Sequence, residues 1–178
     1  MAERTLRALA LASLLLASCH SIALPPPAMQ VARLPMSANH RVDEETLELE
    51  VSLRRHDAGL GNVFTLEVGR SFAAYADVYL GGAFARDENT IIEARIERFE
   101  MIEGVPNMDS RFVVRRGSEV VFERSYHVEG PAPAVRPEEL EFGRTRGVRA
   151  DLERGLHGTL VLTFRAFLTD AAAGGGAW

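Results

Sequence analysis

The residue types that most often perform chemistry are present in this chain, but without the spacing that a reaction would need. No two of the five histidines have the i, i+4 spacing of the HExxH zinc motif. The segment Gly69–Ala73 lacks the second glycine of a nucleophile elbow, and acidic runs such as Asp43-Glu44-Glu45 and Glu138-Glu139 are typical of solvated charge. The sequence therefore predicts no catalytic residue, no cofactor and no metal site, and we expect no enzymatic activity.

The N-terminus has the pattern of a secretory signal peptide. Arg4 and Arg7 precede an apolar run over Ala8–Ser18, and small residues end that run. A spanning helix needs about 20 apolar residues, so this run is too short to remain in a bilayer as a helix. We therefore predict a signal peptide over residues 1–18.

The end of this segment, Leu16-Ala17-Ser18-Cys19, contains the only cysteine of the chain. It resembles the lipobox of bacterial lipoproteins, in which an aliphatic and two small residues precede a cysteine that takes a diacylglycerol thioether. The resemblance implies that Cys19 is the lipid attachment site and becomes the mature N-terminus, anchored by two or more acyl chains. The alternative is an ordinary signal peptide with a chance cysteine. His20, rather than aspartate, follows, which by the enterobacterial sorting rule implies the outer membrane, facing the periplasm.

Composition indicates an ordinary globular domain. The 178 residues are 47% hydrophobic and 25% charged, and the formal charge of −5 argues against nucleic acid as a partner. All basic residues are arginines, which cluster at Arg54-Arg55, at Arg115-Arg116 and at Arg144, Arg146 and Arg149. Such clusters could bind lipid phosphates. Salt bridges with the acidic excess are the interpretation that we favour.

Proline and glycine placement predicts the domain boundaries. Residues 19–42, with Pro25-Pro26-Pro27 and Pro35, are predicted to form an extended, lipid-anchored tether, in which only Gln30–Leu34 is a candidate strand on the domain. The domain is predicted over residues 43–170. Three consecutive glycines in residues 171–178 predict a disordered tail.

Hydrophobic periodicity predicts six elements in the order strand, helix, strand, strand, strand, helix, over residues 46–53, 66–84, 90–101, 112–115, 120–128 and 148–170. The helix between the first two strands favours a parallel pair, and the later strands favour an antiparallel meander. The predicted fold class is α+β, a two-layer sandwich in which two helices cover one face of a four-stranded mixed sheet.

Two sets of apolar residues complete the prediction. The predicted core packs the last helix on Phe72 and on a strand face, and its other members are Leu152, Leu156, Leu160, Phe164, Leu47, Leu49 and Val51. Phe99 and Met101 fall on the charged side of their strand, because the alternation slips near Arg98. Either a β-bulge returns them to the core, or they stay exposed as a partner contact.

The element order behind a lipobox resembles a group of small periplasmic lipoproteins that includes the auxiliary lipoprotein components of ABC-type lipid-transport systems. The corresponding residues are Ser71–Tyr75, Ile96–Glu100, Arg111–Val128 and Leu152–Leu168. The resemblance implies a non-enzymatic envelope lipoprotein, accessory to an envelope assembly or lipid-transport system, with the membrane and an envelope protein as partners. Two alternatives stay open: a lipid or small-ligand binding module with a pocket between helices and sheet, and a lipoprotein enzyme.

Overall fold

The structure is a computed structural model that describes residues 20–43, 48–53, 62–102, 105–131 and 145–174. These residues form two sheets and two helices. The strands are β1 (His20–Ile22), β2 (Asn39–Val42), β3 (Glu48–Leu53), β4 (Asn62–Glu67), β5 (Thr90–Ile102), β6 (Val105–Arg116) and β7 (Glu119–Glu129), and the helices are α1 (Val68–Ala83) and α2 (Thr145–Ala173).

The larger sheet has the strand order β2-β5-β6-β7. Strand β2 is parallel to β5, whereas β5, β6 and β7 form an antiparallel meander. Both helices cover the same face, because Phe72 of α1 and Phe164 of α2 contact Phe112 of β6. This confirms the predicted α+β sandwich. The sequence Arg116-Gly117-Ser118 between two predicted strands also predicts a tight connection, and the structure confirms it, since Gly117 adopts the left-handed φ of 61° that favours glycine.

The first strand of the larger sheet differs from the predicted one. The predicted strand over residues 46–53 corresponds to β3, which pairs with β4 in a separate sheet of order β1-β4-β3. Alternation identifies a strand but not its partner, and the nearby β4 can pair with β3 through a short connection. Because β4 continues to Glu67, helix α1 starts at Val68 rather than at the predicted residue 66.

The described part of the predicted tether, residues 20–42, packs on the domain. Strand β2 supplies an edge of the larger sheet. The amide of Leu24 donates to Ser71 Oγ at 3.0 Å, and the amide of Leu34 donates to the carbonyl of Ala83 at 2.8 Å. Leu24, Met36 and Ala38 are buried. Prolines favour an extended backbone, but an extended backbone can still bury side chains along a helix, so the segment does not project as a tether.

The predicted C-terminal tail also begins later than expected. Helix α2 continues through Ala173, and Ala171 is fully buried. The alanines that precede the glycines are good helix formers, and Ala171 continues the buried face of α2, whereas Ala172 and Ala173 are exposed. Residues 175–178 lie outside the described part of the chain.

The buried stripe of α2 confirms the predicted core in its first half and shifts in its second half. Leu152, Leu156, Leu160 and Phe164 are buried as predicted. A four-residue step turns by about 40° more than a full helical turn, so a strict four-residue repeat drifts away from the sheet. The buried positions accordingly move to Phe167 and Ala171, whereas Leu168 is half-buried.

Aromatic rings fill the space between helices and sheet. The ring centroids of Phe72 and Phe164 are 4.9 Å apart, and those of Phe112 and Phe167 are 4.4 Å apart. This confirms that α2 packs against Phe72. The remaining predicted contacts cannot be compared, because Leu47 and the side chains of Leu49 and Val51 lie outside the described part.

Truncation of a buried leucine on α2 tests the orientation of this helix. We expect Leu156→Ala, at a site with 1% exposure, to lower the free energy of unfolding by about 2–5 kcal/mol. The matched control is Leu162→Ala on the exposed side of α2, where a change within about 0.5 kcal/mol is expected. Urea unfolding measures both. Equal losses would contradict the assigned buried face.

Glycines lie where the end of β7 approaches α2. A Cβ at Gly130 would lie 2.2 Å from Thr159 Oγ1 and 2.5 Å from Pro106 Cγ. A Cβ at Gly158 would lie 2.6 Å from Pro131 Cδ. All three separations are shorter than van der Waals contact, so these glycines permit a close approach between the strand end and the helix. Gly158, which weakens the helix pattern in the sequence, is explained by this packing.

Replacement of glycine by alanine should therefore have opposite effects at two sites. Gly130→Ala forces Thr159 and Pro106 apart, and we expect a loss of about 1–3 kcal/mol in the free energy of unfolding. Gly81→Ala, at an exposed position in α1 with 3.4 Å to its nearest neighbour, should gain up to about 1 kcal/mol from helix propensity. Thermal and urea unfolding compare the two. A neutral Gly130→Ala would mean that the approach is not tight.

Candidate functional site

The face of the larger sheet opposite the helices carries a dense set of charges. Side chains alternate between the two faces of a strand, so the residues between the buried ones on β5, β6 and β7 point away from the helices. We call this surface the charged face, defined by Glu93, Arg95, Glu97, Arg98, Asp109, Arg111, Arg115, Glu123 and His127.

Arginines of the charged face link neighbouring strands through carboxylates. Arg115 of β6 donates to Glu93 of β5 at 2.9 Å. Arg111 of β6 pairs with Glu123 of β7 and lies 3.8 Å from Glu97 of β5. The predicted salt bridging of the arginine clusters is thus confirmed for Arg115. Arg54-Arg55 and Arg144, with the side chains of Arg146 and Arg149, lie outside the described part.

Asp109 of the charged face contacts side chains from both neighbouring strands. Arg98 Nε donates to its Oδ2 at 2.7 Å, and His127 Nδ1 hydrogen bonds with its Oδ1 at 2.6 Å. The His127 hydrogen bond, followed by the Arg98 contact, lowers the pKa of Asp109, and Asp109 in turn raises the pKa of Arg98. Two strand-borne side chains, those of Arg98 and His127, therefore hold the ionised carboxylate of Asp109 at the surface.

A β-bulge in β5 creates this arrangement. The register shifts between Ile96, which pairs with Ser110, and Arg98, which pairs with Asp109, so Glu97 is the extra residue. This confirms the predicted phase slip near Arg98. The bulge places Arg98 opposite Asp109 and returns Phe99 to the core at 7% exposure.

The bulge also determines whether Phe99 and Met101 can form the predicted partner contact. Phe99 is buried and Met101 is half-buried against the core, so the described surface does not present the pair as an exposed apolar patch. The interpretation in which both side chains stay exposed as a docking edge is therefore wrong for Phe99. The charged residues on either side of the bulge are the ones that reach the surface.

A small pocket lies beside the bulge. It has a volume of about 280 Å³ and is lined by Asp43, Gly69, Phe72, Arg95, Ile96 and Glu97. Pockets that bury small organic ligands usually have volumes of roughly 300–1,000 Å³, so this one matches a small polar molecule better than an acyl chain. Its lining comes from the start of α1, the middle of β5 and the residue after β2, whereas aromatic rings occupy the space between the layers.

Two further histidines, His40 and His157, have structural partners. His40 Nε2 lies 2.8 Å from Asp77 Oδ1, which joins β2 to α1, and His157 Nδ1 lies 2.5 Å from the hydroxyl of Tyr75, which joins the two helices. Within the described residues, no group of three histidine, cysteine or acidic side chains could hold a metal ion.

Ser71, the serine of the incomplete nucleophile motif, is a buried helix residue. Its hydroxyl donates to the carbonyl of Glu67 at 2.8 Å and accepts from the amide of Leu24. Its hydrogen bonds hold the N-terminal segment on α1. No described helix is long and apolar enough to cross a membrane. The predicted lipid attachment site, Cys19, lies outside the described residues.

Sequence reasoning missed the cluster of Arg98, Asp109 and His127. These residues are far apart in sequence, and pairing of β5, β6 and β7 brings them together. The available signal was the alternation of charged residues along two neighbouring strands. That signal shows which side chains share a face, but the bulge and the register decide which of them meet.

Among known proteins, similarity to this chain is found in the comparison with solved structures. No protein-family model matches the chain, and no curated protein matches it significantly. The fold is similar to the crystal structure of protein XCC0632 from Xanthomonas campestris, described under family model DUF330, with a TM-score of 0.43 and 16% sequence identity. The match covers 85% of this chain and 94% of that one.

The ionised Asp109 predicts a pH-dependent contribution to stability. A carboxyl group whose pKa is lower in the folded state stabilises the fold above its unfolded pKa, and this effect is lost as the pH falls through the folded pKa. We expect Asp109→Asn to be less stable than wild type above about pH 5, and the difference to shrink below about pH 4. Urea unfolding across this range measures it. Glu119→Gln, at an exposed site on β7, is the control, and a constant difference for Asp109→Asn would contradict the prediction.

Proposed function

We propose that this protein is a non-enzymatic, lipid-anchored envelope protein, accessory to an envelope assembly or lipid-transport system. The observation that carries the proposal is the segment Leu16-Ala17-Ser18-Cys19, which places the only cysteine of the chain directly after a signal-peptide pattern. A thiol at this position is the group that lipoprotein maturation requires. Two or more acyl chains would then hold the domain stably at a membrane.

The charged face supports a role in binding another envelope protein. Exposed ion pairs contribute little to stability, typically about 0–1 kcal/mol each. A contribution to fold stability therefore does not explain well why the charged face carries so many ion pairs. Arginines such as Arg98 and Arg111 already lie in a fixed arrangement, which lowers the entropy cost of binding a partner's carboxylates. Arginine is also enriched at protein interfaces. We therefore propose the charged face as the protein-binding surface.

The alternative function, a lipid or small-ligand binding module, is restricted to small ligands by the pocket. The pocket at the bulge, with Asp43 and Arg95 in its lining, favours a small polar ligand over a lipid. A transported lipid would instead have to be handled by the partner, which is the division of labour expected of an accessory protein.

Replacement of Cys19 tests the proposed anchor. Cys19→Ser removes the thiol that would take the diacylglycerol, so we expect loss of fatty-acid labelling and transfer of the protein from the membrane fraction to the soluble fraction. Ser21→Ala keeps the thiol two residues away and should leave both properties unchanged. Metabolic labelling and fractionation of cells measure the outcome. Soluble wild-type protein with Cys19 intact would contradict the proposal.

A further inference from the structure

The smaller sheet brings three strand ends together. Strand β1 runs parallel to β4, with His20 opposite Phe64, and β3 runs antiparallel to β4, with Leu53 opposite Asn62. The end of β3 and the beginning of β4 therefore lie at one end of this sheet, and His20, opposite the third residue of β4, is the residue of β1 nearest to that end. We call it the hairpin end and define it by His20, Leu53 and Asn62.

Along the chain, the hairpin end precedes the start of α1, and the β6–β7 turn follows the end of α1. Strand β4 leads directly into the start of α1, and the segment after β1 follows the helix from Ser71 to Ala83. Beyond the helix, the amide of Gly117 in the turn donates to the carbonyl of Asn89 at 2.8 Å. The 16 residues of α1 separate its two ends by about 24 Å.

The spacing between the anchor and the fold is short. Cys19 is the residue directly before His20, where β1 begins. The segment that follows β1 is held on α1 by hydrogen bonds from Leu24 and Leu34, so it cannot act as a long spacer. Ser21 also pairs with Glu67 and, with Arg70, lowers the pKa of that carboxyl, which further fixes β1 on the domain.

We infer that the hairpin end lies against the headgroups of the membrane and that the β6–β7 turn faces away from it. The inference rests on the proposed lipid at Cys19 and adds an orientation to it. An acyl chain attached one residue before a paired strand must enter the bilayer beside that strand. A free tether of about 20 residues would instead span about 25 Å and leave the domain free to rotate.

Distance measurements in vesicles test this orientation. Cys19 is the only cysteine, so once it is lipidated an introduced cysteine is the one free thiol. The full-length, lipidated Asn62→Cys and Ser118→Cys variants are labelled with a fluorophore in vesicles of phosphatidylethanolamine and phosphatidylglycerol that carry a headgroup spin label. We expect several-fold stronger quenching at residue 62 than at residue 118. Leu53→Cys provides a second position at the hairpin end if Asn62→Cys folds poorly.

A flexible insertion tests whether the short link between Cys19 and β1 causes the orientation. About 20 Gly and Ser residues placed between Cys19 and His20 should reduce the quenching at residue 62 to the value at residue 118. Equal quenching at both positions without the insertion, or no effect of the insertion, would overturn the inference. Mass spectrometry of the same samples shows whether Cys19 carries a lipid. An unmodified Cys19 would contradict the proposed function as well, whereas a lipidated protein with equal quenching would contradict the orientation alone.

Discussion

The contacts of Phe112 join the larger sheet to both helices. Its ring stacks on Phe167 at 4.4 Å, lies edge-on to Phe164 at 5.8 Å and contacts Phe72 at 6.4 Å. Because one buried side chain of a central strand contacts α1 and α2 together, the helices must share one face of the sheet. The opposite face is then left to polar side chains, and the charged face follows directly from this packing.

The charged face and the core are connected through the β5 bulge. Glu97, the extra residue, reverses which side chains of β5 face the helices, so that Phe99 enters the core while Arg98 reaches Asp109. A strand without the bulge would place Phe99 on the surface and Arg98 among aromatic rings. The same local irregularity therefore completes the core and brings Arg98 to Asp109 on the surface.

The N-terminal segment over residues 20–42 is part of the fold and does not only connect the domain to an anchor. Leu24, Met36 and Ala38 add to the core, and β2 supplies a strand of the larger sheet. At the other edge of the molecule, Asp170 near the end of α2 accepts hydrogen bonds from Arg124 and Tyr126 at 2.7 Å each. Burial, and then the Asp170 hydrogen bond, raises the pKa of Tyr126. Residues 20–42 and helix α2 are thus both attached to the larger sheet.

The sequence by itself determined the α+β class, the buried stripe of α2 through Phe164, the turn at Gly117 and the slip near Arg98, because each is written in local periodicity or in a backbone requirement. Only the tertiary structure decided which strands pair. Alternation shows that β3 is a strand, but not that it pairs with β4. The prolines of residues 19–42 favoured a tether, so the sequence did not predict that β2 belongs to the larger sheet. The cluster of Arg98, Asp109 and His127 could not be predicted from the sequence either. Hydrogen bonds between distant residues depend on strand register, which no single segment encodes.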